Sequence, residues 1–147
     1  FDFTEDTTQM PARDLYHDSV RSALEKDGWT ITHDPFTMEF GKTNVFVDLA
    51  AEKLLSAEKS GRSIVVEVKT FGGPSRLADL EQALGQFALY RTILKRVSPE
   101  RILFLAIADD VFEDFFVQEA VQAVVKDQSL KLLVFSPQLE EVIQWID

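Results

Sequence analysis

The sequence predicts a single α/β domain in which helices flank a mixed central β-sheet. Three observations support this fold class. The 147 residues are enough for one domain with its own hydrophobic core. Short β-branched runs alternate with longer segments of helical periodicity, which is typical of layered α/β proteins. Because no repeat, low-complexity segment or linker divides the chain, we expect one domain over 10–147, preceded by a disordered extension or cloning remnant over 1–9.

Composition excludes several classes of function. The chain has no cysteine, which rules out disulfides, thiol nucleophiles and Cys-based metal sites, and its two histidines argue against a His-rich zinc site. It contains neither the roughly 20-residue apolar run of a membrane helix nor a secretory signal, so we expect a soluble cytoplasmic protein. The formal net charge of -10 argues against bulk electrostatic binding of nucleic acid but leaves room for a local basic site.

Local patterns place the secondary structure in the order helix, strands, hairpin, helix, strand, helix, strand, strand. Three segments have the apolar spacing of amphipathic helices: 12–27, 76–96 and 111–126. Six shorter segments have the apolar runs of strands: 29–32, 45–49, 64–69, 102–107, 130–135 and 142–146. Ser75 is the predicted N-cap of the second helix, and Asp109 or Asp110 is that of the third.

The predicted helices should each contribute an apolar stripe to the core. The first stripe comprises Leu15, Val20, Ala23 and Leu24. The second comprises Leu77, Leu80, Leu84, Phe87 and Leu94. The third comprises Phe112, Phe115, Phe116, Val121 and Val125. We also expect Trp145, near the end of the last strand, to serve in packing.

The strand over 64–69 carries two charges that a buried strand would not normally contain. Side chains of a strand alternate between its two faces, so Glu67 and Lys69 share one face while Val66 and Val68 lie on the other. A carboxylate and an ammonium group are costly to bury unless they have partners or a function. The alternative is an edge strand with a solvated ion pair, because Glu-x-Lys alone is a weak motif.

Asp48 interrupts the preceding apolar strand in the same way. It lies 19 positions before Glu67 in the run Val-Phe-Val-Asp-Leu over 45–49. A hairpin over 45–69 would bring the two carboxylates together on neighbouring strands. Two acids on adjacent strands indicate a functional site rather than two unrelated surface charges.

The segment over 50–59 is ambiguous. It could continue the strand or form a short helix, and its periodicity does not decide between them. The separation is longer than a tight hairpin needs, so we expect a bulge or short helix there. If that irregularity displaced Asp48, Glu52 or Glu58 would be the substitute carboxylate to examine.

These charges suggest phosphodiester hydrolysis assisted by a metal ion. Asp48 and Glu67 are candidate ligands of Mg²⁺ or Mn²⁺, because hard cations prefer carboxylate oxygens and Mg²⁺ keeps several waters. Lys69 could hold the attacking water and stabilise charge on phosphorus. Gln86 and Tyr90 share one face of the following helix at i,i+4 spacing and could orient water or the scissile phosphate.

Other polar residues near this constellation have simpler interpretations. Gln82, one turn before Gln86, is expected to be only the polar flank of an amphipathic helix. His17 and Asp18 are expected on another part of the first helix surface, but they could reach a phosphate or metal water if that helix packs over the site. Three cations are candidate phosphate contacts, although a plain surface charge is the favoured interpretation of each: Arg13, Lys42 and Arg76.

The pattern Asp48…Glu67-Val68-Lys69 resembles the signature of the PD-(D/E)xK nucleases, on a matching α-β-β-β-α-β order. The run Gln86-Phe-Ala-Leu-Tyr90 is similar to the Q-x-x-x-Y helix motif of RecB-like and lambda-exonuclease-like members. Val47 stands where the signature has proline. The resemblance implies a restriction-endonuclease-like core. It also implies catalytic roles for five residues: Asp48, Glu67, Lys69, Gln86 and Tyr90.

The segment from Pro11 to Ile146 also resembles a narrower family, XisH, the cyanobacterial excision controlling factors of the fdxN DNA element. The stretches that carry this likeness are PARDLYHDSVRSALEKDGW, VDLAAEKLL, EVKTF and LEQALGQFALYR. The resemblance implies programmed DNA rearrangement during heterocyst differentiation, with DNA, a companion factor called XisI and a site-specific recombinase as partners.

Two functions remain open from the sequence. One is a metal-dependent DNA endonuclease. The other is a non-catalytic accessory protein that uses the nuclease fold to dock DNA or a partner protein, which the acidic charge favours. A homo-oligomer with two sites facing one duplex is a further possibility on which the sequence does not bear.

Overall fold

The computed structural model describes residues 14–54 and 61–147. Eight strands occur in these ranges: β1 (Thr30–His33), β2 (Phe36–Phe40), β3 (Thr43–Val47), β4 (Leu49–Lys53), β5 (Arg62–Val68), β6 (Arg101–Ala108), β7 (Leu132–Ser136) and β8 (Glu141–Ile146). The helices are α1 (His17–Lys26), α2 (Arg76–Val97), α3 (Asp109–Val111), which continues into a π-helical stretch (Phe112–Phe116), and α4 (Glu119–Asp127). None of these described helices is both long and apolar enough to cross a bilayer.

Six strands form one mixed sheet in the order β1-β4-β5-β6-β7-β8, which confirms the predicted α/β class. The central pairs β5–β6 and β6–β7 are parallel, and the pairs towards both edges are antiparallel. Parallel neighbours need a crossover, and α2 supplies the one between β5 and β6. β2 and β3 form a separate antiparallel hairpin that contacts α2.

Helices cover both faces of the central sheet. Phe104 of β6 lies beside Val66 of β5, and Phe135 of β7 is on the same face. Tyr16, directly before α1, packs edge-on against Phe135 with 5.9 Å between ring centroids. Glu67 adjoins Val66 and therefore points to the opposite face, which α2 covers. The face opposite α1 thus receives the side chain of Glu67.

The first helix is shorter than predicted. Within the described residues it begins at His17 rather than near residue 12, because the Asp14 side chain accepts a 3.0 Å hydrogen bond from the Tyr16 amide and forms a turn there. Leu15 falls in this turn and is 78% exposed, so its assignment to the core was wrong. The other three residues of the predicted stripe are buried as expected: Val20, Ala23 and Leu24.

The second helix matches its predicted bounds. Ser75 caps it as expected, since its hydroxyl accepts a hydrogen bond from the Ala78 amide at 3.1 Å. Leu80 and Phe87 are buried in the core. Leu77 lies in the first turn and is 60% exposed, so the predicted stripe starts one turn too early.

The strand predicted over 45–49 is divided between two sheets. β3 ends at Val47 and pairs with β2, a strand the sequence analysis did not predict, whereas β4 begins at Leu49 and enters the central sheet. Asp48 lies at the junction between them. Residues 50–53 continue β4, which settles the ambiguity for that part of the segment.

The helix predicted over 111–126 is interrupted. The chain passes through the π-helical stretch, and Gln118 adopts an extended conformation before α4 begins. The wider π-helical turn allows the consecutive residues Phe115 and Phe116 to be buried together, and both contact Phe71 at centroid distances of 6.2 and 5.4 Å.

The start of this region also differs in detail from the prediction. α3 begins at Asp109, so Ala108 holds the N-cap position instead of either aspartate. Asp109 and Asp110 each accept a 2.8 Å hydrogen bond from the amide of the next residue. Both carboxylates therefore lie in the first turn, where they interact favourably with the helix dipole.

Candidate active site

The hairpin of β4 and β5 brings Asp48 and Glu67 together. Leu49 pairs with Val66 and Lys53 with Arg62, with no shift of register between these pairs. The residue before Leu49 is therefore beside the residue after Val66, as the sequence analysis predicted. The bulge or short helix expected over 50–59 does not fall within residues 50–53, and residues 55–59 lie outside the described residues. Asp48 therefore keeps its place beside Glu67.

The two carboxyl groups interact directly. They share a side-chain hydrogen bond, and the Val68 amide donates a 2.7 Å hydrogen bond to Asp48 Oδ2. Burial, followed by the charge of Asp48, raises the pKa of Glu67 from 4.5 to about 9. Burial also raises the pKa of Asp48. Two acids this close in a low-dielectric site cannot both ionise easily, so one proton is held between them near neutral pH.

A cavity of about 190 Å³ opens above this pair on the α2 side of the sheet. It is lined by Asp14, Phe46, Asp48, Glu67, Val68, Lys69, Gln86 and Tyr90. All five residues that the sequence analysis selected for chemistry line this one cavity. Asp14 and Phe46 join them without having been predicted.

Lys69 follows β5 and extends its ladder, since its amide donates to the Ala106 carbonyl at 3.1 Å. Its Nζ donates to Gln82 Oε1 at 2.8 Å, and its positive charge acts on Glu67. Gln82 is exposed and does not line the cavity, so it remains a polar residue on the flank of α2 that also contacts Lys69.

Gln86 and Tyr90 approach the carboxyl pair from α2. Tyr90 is half-buried, and burial, together with the charges of Glu67 and Asp48, raises its pKa to about 12. The phenol therefore stays protonated at physiological pH and can donate a hydrogen bond into the cavity. Gln86 offers an amide beside it.

Asp14 fixes the start of α1 to the end of β5. Its carboxylate accepts a hydrogen bond from the Thr70 amide at 3.1 Å and another, shorter one from the Thr70 hydroxyl. These contacts hold together residues 56 positions apart in sequence. Nothing local in the sequence indicates this contact.

His17 is buried behind the carboxyl pair, with only 3% of its surface exposed. Its Nε2 lies 2.7 Å from Asp34 Oδ1, and Arg21 donates to the other oxygen of Asp34 at 2.6 Å. His17 Nδ1 lies 3.7 Å from Asp48 Oδ1 and has no hydrogen-bond partner among the described residues. The expectation that His17 lies away from the site was wrong, whereas Asp18 is exposed.

The other candidate residues do not line this cavity. Lys42 is exposed in the turn between β2 and β3, and Arg76 lies 3.9 Å from Asp114 in an ion pair. Glu52 is exposed on β4 opposite Ser63, near the end of the hairpin away from Asp48 and Glu67. Two further candidates, Arg13 and Glu58, lie outside the described residues.

Asp48 and Glu67 could together hold a divalent cation. No group of three or more His, Asp and Glu side chains forms a ready metal site within 14–54 and 61–147. Mg²⁺ and Mn²⁺ can nevertheless bind through one or two carboxylates, with water and substrate phosphate as the remaining ligands. Burial raises the pKa values of both acids, and a cation would favour their ionised forms. The buried His17 Nδ1, which has no hydrogen-bond partner among the described residues, is a further nitrogen nearby. The residues present therefore fit such an ion.

Comparison with known proteins gives a consistent result. A model of the XisH protein family matches residues 10–143. The crystal structure of an XisH family protein from Nostoc punctiforme is 38% identical and superposes with a TM-score of 0.83, covering 91% of this chain and 100% of that one. An fdxN element excision controlling factor protein from Anabaena variabilis is also 38% identical, with a TM-score of 0.82 over 92% of this chain and 100% of its own. No curated protein matches. The chain belongs to the XisH family.

Proposed function

We propose that this protein is a metal-dependent DNA endonuclease of the PD-(D/E)xK type that acts in excision of a DNA element. The observation that carries the proposal is the meeting of Asp48, Glu67 and Lys69 in one cavity, under Gln86 and Tyr90. A carboxyl pair that can hold a metal ion, with a lysine beside it, is suited to in-line hydrolysis of a phosphodiester. The raised pKa of Glu67 marks a site that gains from a bound cation.

Each residue has a distinct role in the proposed reaction. Asp48 and Glu67 would hold Mg²⁺ or Mn²⁺, which supplies Lewis acidity towards a phosphoryl oxygen when bound. The Lys69 ammonium holds the attacking water and stabilises negative charge as the new bond to phosphorus forms and the bond to the leaving oxygen breaks. Tyr90 donates a hydrogen bond because its hydroxyl stays protonated, and Gln86 orients a phosphate oxygen or water.

The biological setting is carried over from the relative. The Anabaena variabilis protein is named as an fdxN element excision controlling factor. By likeness to it, we assign this chain a role in programmed DNA rearrangement in the cytoplasm. DNA is then the substrate, and a companion factor of the XisI kind and a site-specific recombinase are the expected partners.

A second function is favoured by the charge of the chain. The net charge of -10 opposes DNA binding, and the candidate cavity itself contains three acids and one cation. A non-catalytic accessory protein that docks DNA or another protein through the same fold would tolerate this charge. The two functions differ in one measurable property, which is turnover.

A cleavage assay separates them. Wild-type protein is incubated with supercoiled and linear DNA in Mg²⁺ or Mn²⁺, with and without the companion factor, beside Glu67→Gln and the matched control Glu52→Gln. We expect metal-dependent cutting by wild type and Glu52→Gln but not by Glu67→Gln. Cutting that survives in Glu67→Gln would refute the assignment, and absence of cutting by wild type under every condition would favour the accessory role. Calorimetric titration of the metal provides a second readout.

A further inference from the structure

A second cavity, of about 300 Å³, lies at the opposite end of the central strands. It is formed by the last turns of α2, the start of β6 and the segment leading into β7. Four cationic side chains line it: Arg91, Lys95, Arg101 and Lys131. Among the described residues no carboxylate lines it, although the chain has 25 acidic and only 15 basic side chains. The basic residues are thus concentrated here against the overall charge.

Arg101 is held in a fixed position. Its guanidinium carbon lies 4.8 Å from the ring centroid of Phe36, and its Nε donates to Ser98 Oγ at 3.1 Å. Its Nη1 is buried and has no hydrogen-bond partner among the described residues. A buried donor without an acceptor is costly, so this guanidinium remains short of a negative partner.

Arg91 is positioned in a similar way. Its guanidinium lies 5.2 Å from the ring centroid of Phe87, and Nη1 donates to the Gln128 carbonyl at 2.8 Å. These contacts orient the charge without neutralising it. Within the described part of the chain, none of the four cations forms an ion pair with a carboxylate. Glu100, the exposed acid next to Arg101, accepts hydrogen bonds from its own amide and from Ser98, and these bonds and the nearby Arg101 charge lower its pKa.

The walls between these cations are apolar. Phe87, Leu94 and Ile102 contribute to them, so the cavity combines positive charge with a hydrophobic surface. A volume near 300 Å³ lies at the lower end of the range for small-ligand sites. Four fixed or nearby cations select a multiply charged anion, and the apolar wall selects a flat ring attached to it.

We propose that this cavity binds a nucleoside phosphate, with the phosphate groups on the four cations and the base on the apolar wall. The ligand is either a free nucleotide or the 5′-phosphorylated end of a nucleic acid strand, since both present the same chemistry. Arg101 pairs in register with Ser63 at the start of β5, whereas Glu67 lies at its other end. The site is therefore separate from the carboxyl pair and does not depend on its activity.

Binding is tested by calorimetry and amide chemical shifts on the whole chain, in a chelating buffer that removes divalent ions. The probes are ADP, a 5′-phosphorylated tetranucleotide and inorganic phosphate. The variant is Lys95→Glu/Lys131→Glu, which leaves both fixed arginines in place, and Lys42→Glu is the matched control on the distant hairpin turn. We expect saturable binding of ADP or the tetranucleotide by wild type and control, weakened at least about tenfold in the double variant.

The pattern of affinities decides the proposal. Tighter binding of ADP assigns a free nucleotide, and tighter binding of the tetranucleotide assigns a strand end. Inorganic phosphate that binds as tightly as both would overturn a role for the base. Equal affinity in the double variant would overturn the location, and no binding at millimolar concentration would overturn the site. Circular dichroism of the variants establishes that the fold is intact.

Discussion

At the carboxyl end of β5 the described residues form a cavity lined by three acids and one lysine. At its amino end they form a cavity lined by four cations and no acid. Between them β5 and β6 are almost entirely apolar. Both cavities keep like charges close together, which folding alone would not favour. The two cavities differ in how they accommodate this charge. At the acidic end a shared proton reduces the negative charge. At the basic end the guanidinium groups pack against aromatic rings and keep their positive charge.

This contrast indicates what each end lacks. The acidic end can exchange its proton for a cation, so its state depends on pH and on metal concentration. Arginine cannot release its proton in a protein, so the charge of the two guanidinium groups at the basic end can be relieved only by an anion. The following four expectations test the contrast, from the largest effect to the smallest.

The largest effect is expected on turnover. Lys69→Met keeps the length of the side chain but removes the charge that stabilises the reacting phosphate. We expect DNA cleavage to fall about 100- to 1,000-fold while metal affinity is retained, as measured by single-turnover cleavage and calorimetry. Gln82→Ala, which removes only the contact to Lys69 Nζ, should lose far less. Equal loss of metal binding in Lys69→Met would show that the lysine serves the fold rather than the reaction.

The next effect concerns stability. His17→Ala removes a buried partner of Asp34 and leaves that carboxylate with Arg21. We expect a loss of about 2 kcal/mol in the free energy of unfolding, measured by urea denaturation. His33→Ala, at the other and exposed histidine, should change stability by less than about 0.5 kcal/mol. An equal loss of stability in His17→Ala and His33→Ala would mean that the buried contacts of His17 do not stabilise the acidic end.

A smaller effect depends on pH. The pKa of Glu67 is about 9 in the folded protein and 4.5 when unperturbed, so between these values the folded state binds a proton that the unfolded state releases. Its contribution to stability is complete below pH 4.5 and is lost as pH rises through about 9. Glu67→Gln should therefore become more stable than wild type near pH 8, by on the order of 1 kcal/mol.

The measurement is urea unfolding in chelator at several values of pH. The stability curves of wild type and Glu67→Gln should diverge as pH rises. Adding Mg²⁺ should restore the stability of wild type at high pH but leave Glu67→Gln unchanged. Parallel curves would contradict the shared proton.

The smallest effect is expected at the basic end. Lys131→Gln removes one of four neighbouring positive charges and should stabilise the protein by about 0.3 kcal/mol at low ionic strength. The gain should disappear in high salt, and Lys42→Gln should show none. Thermal unfolding at two salt concentrations measures it. Destabilisation by Lys131→Gln would mean that the cations of this cavity do not repel one another.

Local signals predicted a large part of the fold and of the acidic end. The alternation of Ile64 to Lys69, the cap at Ser75 and the apolar run of β6 each identify an element within a few residues. Asp48 could be paired with Glu67 because a hairpin needs only neighbouring strands and a connection. The strand β2 was missed although Phe36 to Phe40 alternate apolar and polar residues, a signal that was present but overlooked.

What could not be predicted depends on contacts between distant segments. Asp14 reaches Thr70, and His17 reaches Asp48, through the packing of α1 against the sheet. The basic cavity is similar, since Arg101 joins Arg91 only through the path of β6 beside α2. The π-helical stretch was missed because its residues also fit an ordinary helical period. In each case the sequence shows which residues are present but not which other residues they contact in the folded chain.

The hairpin of β4 and β5 has a consequence for how such sequences diverge. Its paired residues run without a register shift from Leu49 and Val66 to Lys53 and Arg62. Insertions or deletions between Lys53 and Arg62 would change the count of residues between Asp48 and Glu67 but leave these pairs unaltered. Doubling the length of a loop costs only about 0.6 kcal/mol of closure entropy. We therefore expect the two acids to stay opposed across the strands when the number of residues between them changes.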